Sequence, residues 1–107
     1  MKDPELAIDY IFKQGKVYAE AKANRIYAEE YRKSLKAIIM KRYPKAAVNA
    51  QERDAYSDPE YIALLDGLRA AVEIEEAARW GLVAAHASIE VWRSREATNR
   101  AEGRATL

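Results

Sequence analysis

This 107-residue sequence has no cysteine and a single histidine. Without cysteine, disulfide scaffolds, zinc ribbons, zinc fingers and thiol catalysis are all excluded. One histidine cannot build a multi-histidine metal site. The Glu-x-x-His pair of di-metal helical bundles is also missing, because the position three residues before His86 is Val83. We therefore expect no metal ion and no cofactor.

Glycine, proline and long apolar runs are also scarce. Four glycines and three prolines are too few for a collagen-like, linker-like or low-complexity sequence. No apolar run approaches the roughly 18 residues of a membrane span, and the opening Met1-Lys2-Asp3-Pro4 does not begin a signal peptide. We therefore expect a soluble, cytoplasmic protein with no membrane partner.

The motifs of common catalytic sites are missing as well. There is no Gly-rich phosphate loop, no Gly-x-Ser-x-Gly nucleophile elbow and no His-Glu-x-x-His zinc motif. Carboxylates such as Glu73 and Glu76 are plentiful, but acids on helices ordinarily face solvent. We predict that the protein is not an enzyme, and we assign no catalytic, cofactor-binding or metal-binding residue.

Two nearly identical tripeptides, Asp3-Pro4-Glu5 and Asp58-Pro59-Glu60, predict the starts of two helices. As the N-cap, Asp accepts a hydrogen bond from an amide that has no partner within the helix. Pro suits the first helical position, and Glu favours the positive end of the helix dipole.

Long stretches without proline follow both signals. They predict an all-α fold that consists of a long antiparallel helical hairpin within a single domain. We expect a short N-terminal helix over 4–14, a first long helix over 16–42, a connection over 43–58, a second long helix over 59–101 and a frayed tail over 102–107. Gly15 separates the first two helices, and Pro44 lies in the connection. Residues 50–56 could add one or two helical turns behind Asn49 as their cap.

Apolar residues spaced by three and four predict the seam between the two long helices. On the first helix the seam reads Val17, Ala21, Asn24, Ala28, Tyr31, Leu35 and Ile38. On the second helix, a stripe from Tyr61 to Ile89 includes Glu75, Arg79 and His86. We interpret Glu75 with Arg79 as a polar layer that faces Asn24 or Tyr31 and sets the register.

The predicted helix lengths indicate a partner. At 1.5 Å per residue the second helix extends about 65 Å and the first about 40 Å, whereas a compact globule of this size has a radius of gyration of about 13 Å. We expect a homodimer that forms a coiled-coil-like helical bundle. The predicted interface is a row of mostly small residues with two larger anchors: Gly67, Ala71, Ile74, Ala78, Gly81, Ala85 and Trp92. For the small-residue row, a groove kept open for a ligand is the alternative to a packed seam.

The net charge of +1 conceals a segregation along the chain: residues 31–45 hold six basic and no acidic residues, while residues 46–78 hold two basic and eight acidic ones. The basic tract consists of Arg32, Lys33, Lys36, Lys41, Arg42 and Lys45. Beside Tyr31 and Tyr43, these cations could bind nucleic acid through phosphate neutralisation and base stacking. We favour the alternative that they pair with the acidic segment, within the chain or between subunits.

Three blocks of sequence carry a resemblance: residues 30–37 (EYRKSLKA), residues 50–56 (AQERDAY) and residues 89–100 (IEVWRSREATNR). With the second Asp-Pro signal, they resemble a family of small helical proteins encoded by temperate tailed phages and prophages of Gram-negative bacteria. The resemblance covers most of residues 16–101. It implies a phage accessory protein in the cytoplasm of the bacterial host. It carries no assigned activity and no site residue, and only the position of such genes near phage recombination or early-region genes associates it with DNA recombination.

Two functions follow as expectations. The first, which we favour, is a non-enzymatic protein-interaction accessory whose partner is a phage or host protein. The second is a nucleic-acid-binding accessory in phage DNA recombination that uses the basic tract.

Overall fold

The computed structural model describes residues 3–106, the last of them by its backbone alone, and every regular element in that range is an α-helix. Helix α1 spans Pro4–Met40, α2 spans Val48–Ser57 and α3 spans Pro59–Thr106. The predicted all-α class is confirmed.

Both predicted helix starts are confirmed, together with their caps. The Oδ1 of Asp3 accepts a hydrogen bond from the backbone N–H of Glu5 at 2.9 Å. The Oδ1 of Asp58 accepts one from the N–H of Glu60 at 2.8 Å. The two Asp-Pro-Glu signals therefore open α1 and α3 by the same local mechanism.

The helix boundaries differ from the prediction at three places. Helix α1 continues through Gly15, so the predicted helices 4–14 and 16–42 are one helix, and it ends at Met40. A helical glycine costs only about 1 kcal/mol relative to alanine, which is too little to break a long helix. Helix α3 extends past residue 101 to Thr106, so the described part of the predicted frayed tail is helical. Leu107 lies outside the described residues.

The predicted connection contains a turn followed by α2. This helix begins one residue before Asn49, and Ala47 takes the N-cap position without a side-chain cap. The side-chain amide of Gln51 donates hydrogen bonds to the carbonyl oxygens of Tyr43, at 2.7 Å, and Ala46, at 3.2 Å. These bonds hold the turn against α2.

The described chain divides into two compact units. The first contains the residues up to Tyr18 and those from Glu76 onward, and in it Ala7, Ala78 and Ala85 are buried. The hydroxyl of Tyr10 lies so close to the backbone of Gly81 that a Cβ added there would collide with it.

The second unit consists of Ala19–Glu75 and contains parts of all three helices. Its apolar core is formed by Leu35 and Ile39 of α1, Ala55 of α2 and Tyr61 of α3. In this unit α1 and α3 run antiparallel, because the end of α1 packs on Tyr61 while Arg25, earlier in α1, pairs with Glu75, later in α3.

On α1 of the second unit, every second residue of the buried row lies one position after the residue that the predicted seam contains. Ala21, Ala28 and Leu35 face inward as predicted, but Asn24, Tyr31 and Ile38 are exposed, as is Val17 outside this unit. The positions between the inward residues are taken by Arg25, Arg32 and Ile39. In a sequence pattern an arginine is ordinarily assigned to the solvent side, yet its aliphatic stem can pack inside while its guanidinium group reaches solvent or a polar partner.

Candidate functional site: a basic and aromatic concavity

The second unit has a surface concavity of about 530 Å³ that opens between its helices. We call it the basic concavity, and its lining consists of Arg32, Lys33, Lys36, Tyr56 and Tyr61. Half of the predicted basic tract therefore meets here, beside two tyrosines that lie 20 or more residues further along the chain. Charge counting along the sequence identified the cations but not the tyrosines.

The aromatic wall of the basic concavity is anchored in the core. Tyr61 is only 7% exposed and belongs to the core cluster. Tyr56, which is exposed, meets the ring of Tyr61 edge to face, with ring centroids 5.4 Å apart and an interplanar angle of 79°. This arrangement is a favourable one for two aromatic rings, so α2 presents Tyr56 in a defined position.

Lys36 is held against α2 by two contacts. Its Nζ lies 3.6 Å from a carboxylate oxygen of Glu52 and 4.7 Å from the centroid of the Tyr56 ring. Hydrogen bonding with Tyr56 and the charge of Glu52 raise the pKa of Lys36 above its ordinary value. The ammonium group is therefore already paired within the chain.

Arg32 and Lys33 differ in their surroundings. Lys33 is exposed and lies 3.5 Å from Glu30, a neighbour on the same exposed surface of α1. Arg32 is half-buried, and among the described residues it has no hydrogen bond, ion pair or ring contact. Arg32 is thus the one cation of the basic concavity whose charge no described residue balances.

The remaining cations of the basic tract lie at the turn after α1. The guanidinium of Arg42 donates to Glu60 at 3.1 Å and lies 3.8 Å from Asp58. The hydrogen bond to Glu60 is the main cause that raises the pKa of Arg42 above its ordinary value. Lys41 and Lys45 are exposed and form no ion pair with a described residue. For Arg42, as for Lys36, the pairing is the one that the favoured alternative predicts.

A buried polar layer lies deeper in the same unit. Glu75 is 7% exposed and accepts two hydrogen bonds from Arg25, one from Nε and one from Nη2, the latter at 3.1 Å. A further bond from Arg25 reaches Glu29 at 3.1 Å. The bonds to Glu75 first, and the bond to Glu29 second, raise the pKa of Arg25. The predicted polar layer thus includes Glu75, but its partner is Arg25, and Arg79 pairs with Glu76 instead.

The row of small residues predicted as a dimer interface is distributed over different environments. Ala78 and Ala85 are 1% and 0% exposed within the single chain. Ala71 and Gly81 are half-buried. Gly67, Ile74 and Trp92 are exposed. Of the predicted interface residues, only these last three could contact a partner chain without a change in the packing of this one.

No group of histidines and carboxylates in the described range could hold a metal ion. No helix there is long and apolar enough to cross a membrane. Comparisons with protein-family models, curated proteins and solved structures found no match to this chain.

Proposed function

We propose that this protein is a non-enzymatic helical accessory that forms a homodimer and binds other proteins. We propose the cytoplasm of a bacterial host as its location, on the resemblance to phage and prophage proteins alone. The observation that carries the proposal is the distribution of apolar side chains. Most of the buried apolar side chains in the described chain are small, and many large ones are exposed.

Alanine dominates the buried apolar residues. Five of the eight are alanines, and the larger ones in the described chain are Leu35, Ile39 and Tyr61. By contrast, 19 large apolar side chains of the described residues are exposed. Exposed apolar surface on this scale is typical of proteins that bury it against a partner.

Part of this surface forms one uncharged face of the second unit. Its exposed members are Tyr27, Tyr31, Ile38, Ala63, Gly67, Ala70 and Ile74. The rings of Tyr27 and Tyr31 stack at 5.9 Å with an interplanar angle of 6°, so the bulky part of the face has a defined shape.

Heptad geometry puts the members of this face on one side of the helix pair. Tyr31 and Ile38 each precede an inward residue of α1, as Gly67 and Ile74 do on α3. Such positions flank the same side of an antiparallel seam. In the first unit, Tyr10 on α1 and Gly81 on α3 also each precede an inward residue, and these two residues are in contact.

A second copy of the chain is the occupant that this face suits best. Its α1 side has three large residues, two of them tyrosines, and its α3 side has two alanines and a glycine beside Ile74. In a two-fold dimer each protomer can therefore place its tyrosines against the alanines and glycine of the other. The face carries no charge that this arrangement would bury unpaired.

The test is the oligomeric state of the purified chain, measured by sedimentation equilibrium over a range of concentrations. We expect a mass of twice the 12.1 kDa of one chain. Ile74→Glu should shift the protein to monomer with its helix content retained. Ile62→Glu is the matched control, because Ile62 is similarly exposed on α3 but lies outside the uncharged face. A wild-type monomer at all concentrations, or equal dissociation by both variants, would contradict the proposal.

The nucleic-acid alternative, an accessory in phage DNA recombination, relies on the basic tract. We propose protein binding instead because Lys36 and Arg42 already pair with acids of the same chain. Titration with single- and double-stranded DNA at several salt concentrations tests this choice. Salt-sensitive, submicromolar binding that is lost when Lys36, Lys41 and Arg42 are replaced by glutamine, with a salt slope lower by about 0.9 for each lost duplex-phosphate contact, would support the nucleic-acid function.

A further inference from the structure

The basic concavity contains one arginine, Arg32, that is half-buried as a residue and whose charge no described residue balances. Arg32 has no partner among the described residues, although its planar guanidinium group has five N–H donors. The other two cations of the concavity are each next to an acid, Lys36 beside Glu52 and Lys33 beside Glu30. The charge and the donors of Arg32 are therefore available to an acceptor that comes from outside the chain.

The charge and shape of the concavity specify this acceptor. Three cations and two neighbouring acids leave one positive charge in excess, which matches a single negative charge. A carboxylate can accept two parallel N–H bonds from a guanidinium group. The rings of Tyr56 and Tyr61 provide an apolar wall for the aliphatic stem of an acidic side chain. The volume of about 530 Å³ has room for such a side chain together with part of its backbone.

An extended polyanion fits less well. A nucleic-acid strand neutralises several phosphates along its path, so it needs a series of free cations beyond the concavity. Beyond the end of α1, Lys41 and Lys45 are unpaired among the described residues, but Arg42 lies between Asp58 and Glu60, and these carboxylates would repel a phosphate backbone.

We propose that the basic concavity is a docking site for an acidic side chain, Asp or Glu, of a protein partner, with Arg32 as the group that binds its carboxylate. This inference rests on the proposed protein-interaction function and specifies the chemistry of the partner. Lys36, held on Tyr56 by Glu52, positions the aromatic wall beside the incoming carboxylate.

The test measures binding of three probes to the full chain. The probes are a helical peptide that presents glutamate side chains, the same peptide with glutamine in their place, and a short single-stranded DNA. The readout is the Nε–Hε cross-peak of Arg32 in an NMR titration, assigned from its loss in Arg32→Lys. Affinities come from fluorescence anisotropy of labelled probes.

We expect the glutamate peptide to shift the Arg32 cross-peak in a saturable way, and the glutamine peptide to leave it unchanged. Arg32→Gln should weaken the glutamate peptide by about tenfold or more, the typical effect of losing a charge-assisted hydrogen bond. Arg32→Lys keeps the charge but loses the planar fork, so it should weaken the peptide by an intermediate factor. Lys22→Gln is the control, because Lys22 is an exposed cation on α1 outside the concavity.

Equal binding of both peptides, or equal weakening by Arg32→Gln and Lys22→Gln, would overturn the site. Tighter binding of DNA than of the glutamate peptide, lost in Arg32→Gln, would replace it with a nucleic-acid site. Circular dichroism and sedimentation of each variant are recorded in parallel. A dimer that does not bind the peptide refutes the docking site alone, whereas a monomer that binds it refutes the dimer alone.

Discussion

Replacing Gly81 by alanine tests the close approach of α1 and α3 in the first unit. A Cβ at Gly81 would collide with the hydroxyl oxygen of Tyr10 and come within 3.4 Å of its Cζ. Gly15, a helical glycine of the same unit, provides the matched comparison, because a Cβ there would meet nothing within 4 Å. The two substitutions are chemically identical and differ only in this contact.

The expected magnitude follows from two opposing effects. Glycine to alanine within a helix stabilises by about 0.8–1 kcal/mol at either position. At Gly81 the inserted methyl group displaces Tyr10, and overpacking of this kind costs about 1–3 kcal/mol. Gly15→Ala should therefore raise the free energy of unfolding by about 1 kcal/mol, whereas Gly81→Ala should leave it unchanged or lower it by about 2 kcal/mol. For a chain of 107 residues, 1 kcal/mol corresponds to about 4 °C in Tm, so the two variants should differ by about 4–12 °C.

Thermal unfolding followed by circular dichroism at one fixed protein concentration measures this difference. A double-mutant cycle with Tyr10→Phe isolates the contact, since phenylalanine lacks the colliding oxygen. In that background, Gly81→Ala should recover most of the stabilisation seen for Gly15→Ala. If Gly81→Ala stabilised the wild type as much as Gly15→Ala does, or if the cycle showed no coupling, the reasoning about the contact would be refuted.

Three further predictions concern the second unit. Ile39→Ala should lower the free energy of unfolding in urea by about 2–5 kcal/mol and Ile39→Val by about 0.5–1.5 kcal/mol, because Ile39 is fully buried; equal losses would contradict its place in the core. Glu75→Gln should lower Tm more than Glu29→Gln, because Glu75 is buried and accepts two bonds from Arg25; a larger effect at Glu29 would contradict this assignment. The pKa of Lys36 is raised in the folded state, so its stabilisation is present below its unfolded value of 10.5 and is lost as the pH rises through the higher folded value. As the pH rises above 10.5, Lys36→Gln should therefore lose less stability than the wild type, and parallel losses would count against the pairing.

The features predicted correctly from the sequence are those with local causes. The caps at Asp3 and Asp58 act on an amide two residues away, so a tripeptide was enough to locate both helix starts. The absence of proline from the residues after Pro59 was enough to predict an unbroken α3. The prediction that Gly15 ends a helix was wrong, because one unfavourable residue is outweighed by the many hydrogen bonds of a 37-residue helix.

The basic tract and the seam show where local reasoning was insufficient. Charge counting identified Arg32 and Lys36, but only the packing of α2 brought Tyr56 to them and Glu52 to Lys36. A repeat of three and four residues fits a seam that contains Asn24 and equally one that contains Arg25, because the two positions are adjacent. The sequence pattern therefore does not decide between the two seams.

The sequence by itself determined that the chain is helical and where α1 and α3 begin, since propensity and capping depend on neighbours along the chain. The tertiary structure decided which side of α1 is buried, because Arg25 finds its partner Glu75 fifty residues away. It also decided which cations of the basic concavity are paired with a described residue and that Arg32 is not. Lys36 lies within reach of an acid on a different helix, and Arg32, four residues earlier, does not. Which of two nearby cations forms an ion pair depends on distances across the fold. These distances cannot be derived from the order of residues along the chain.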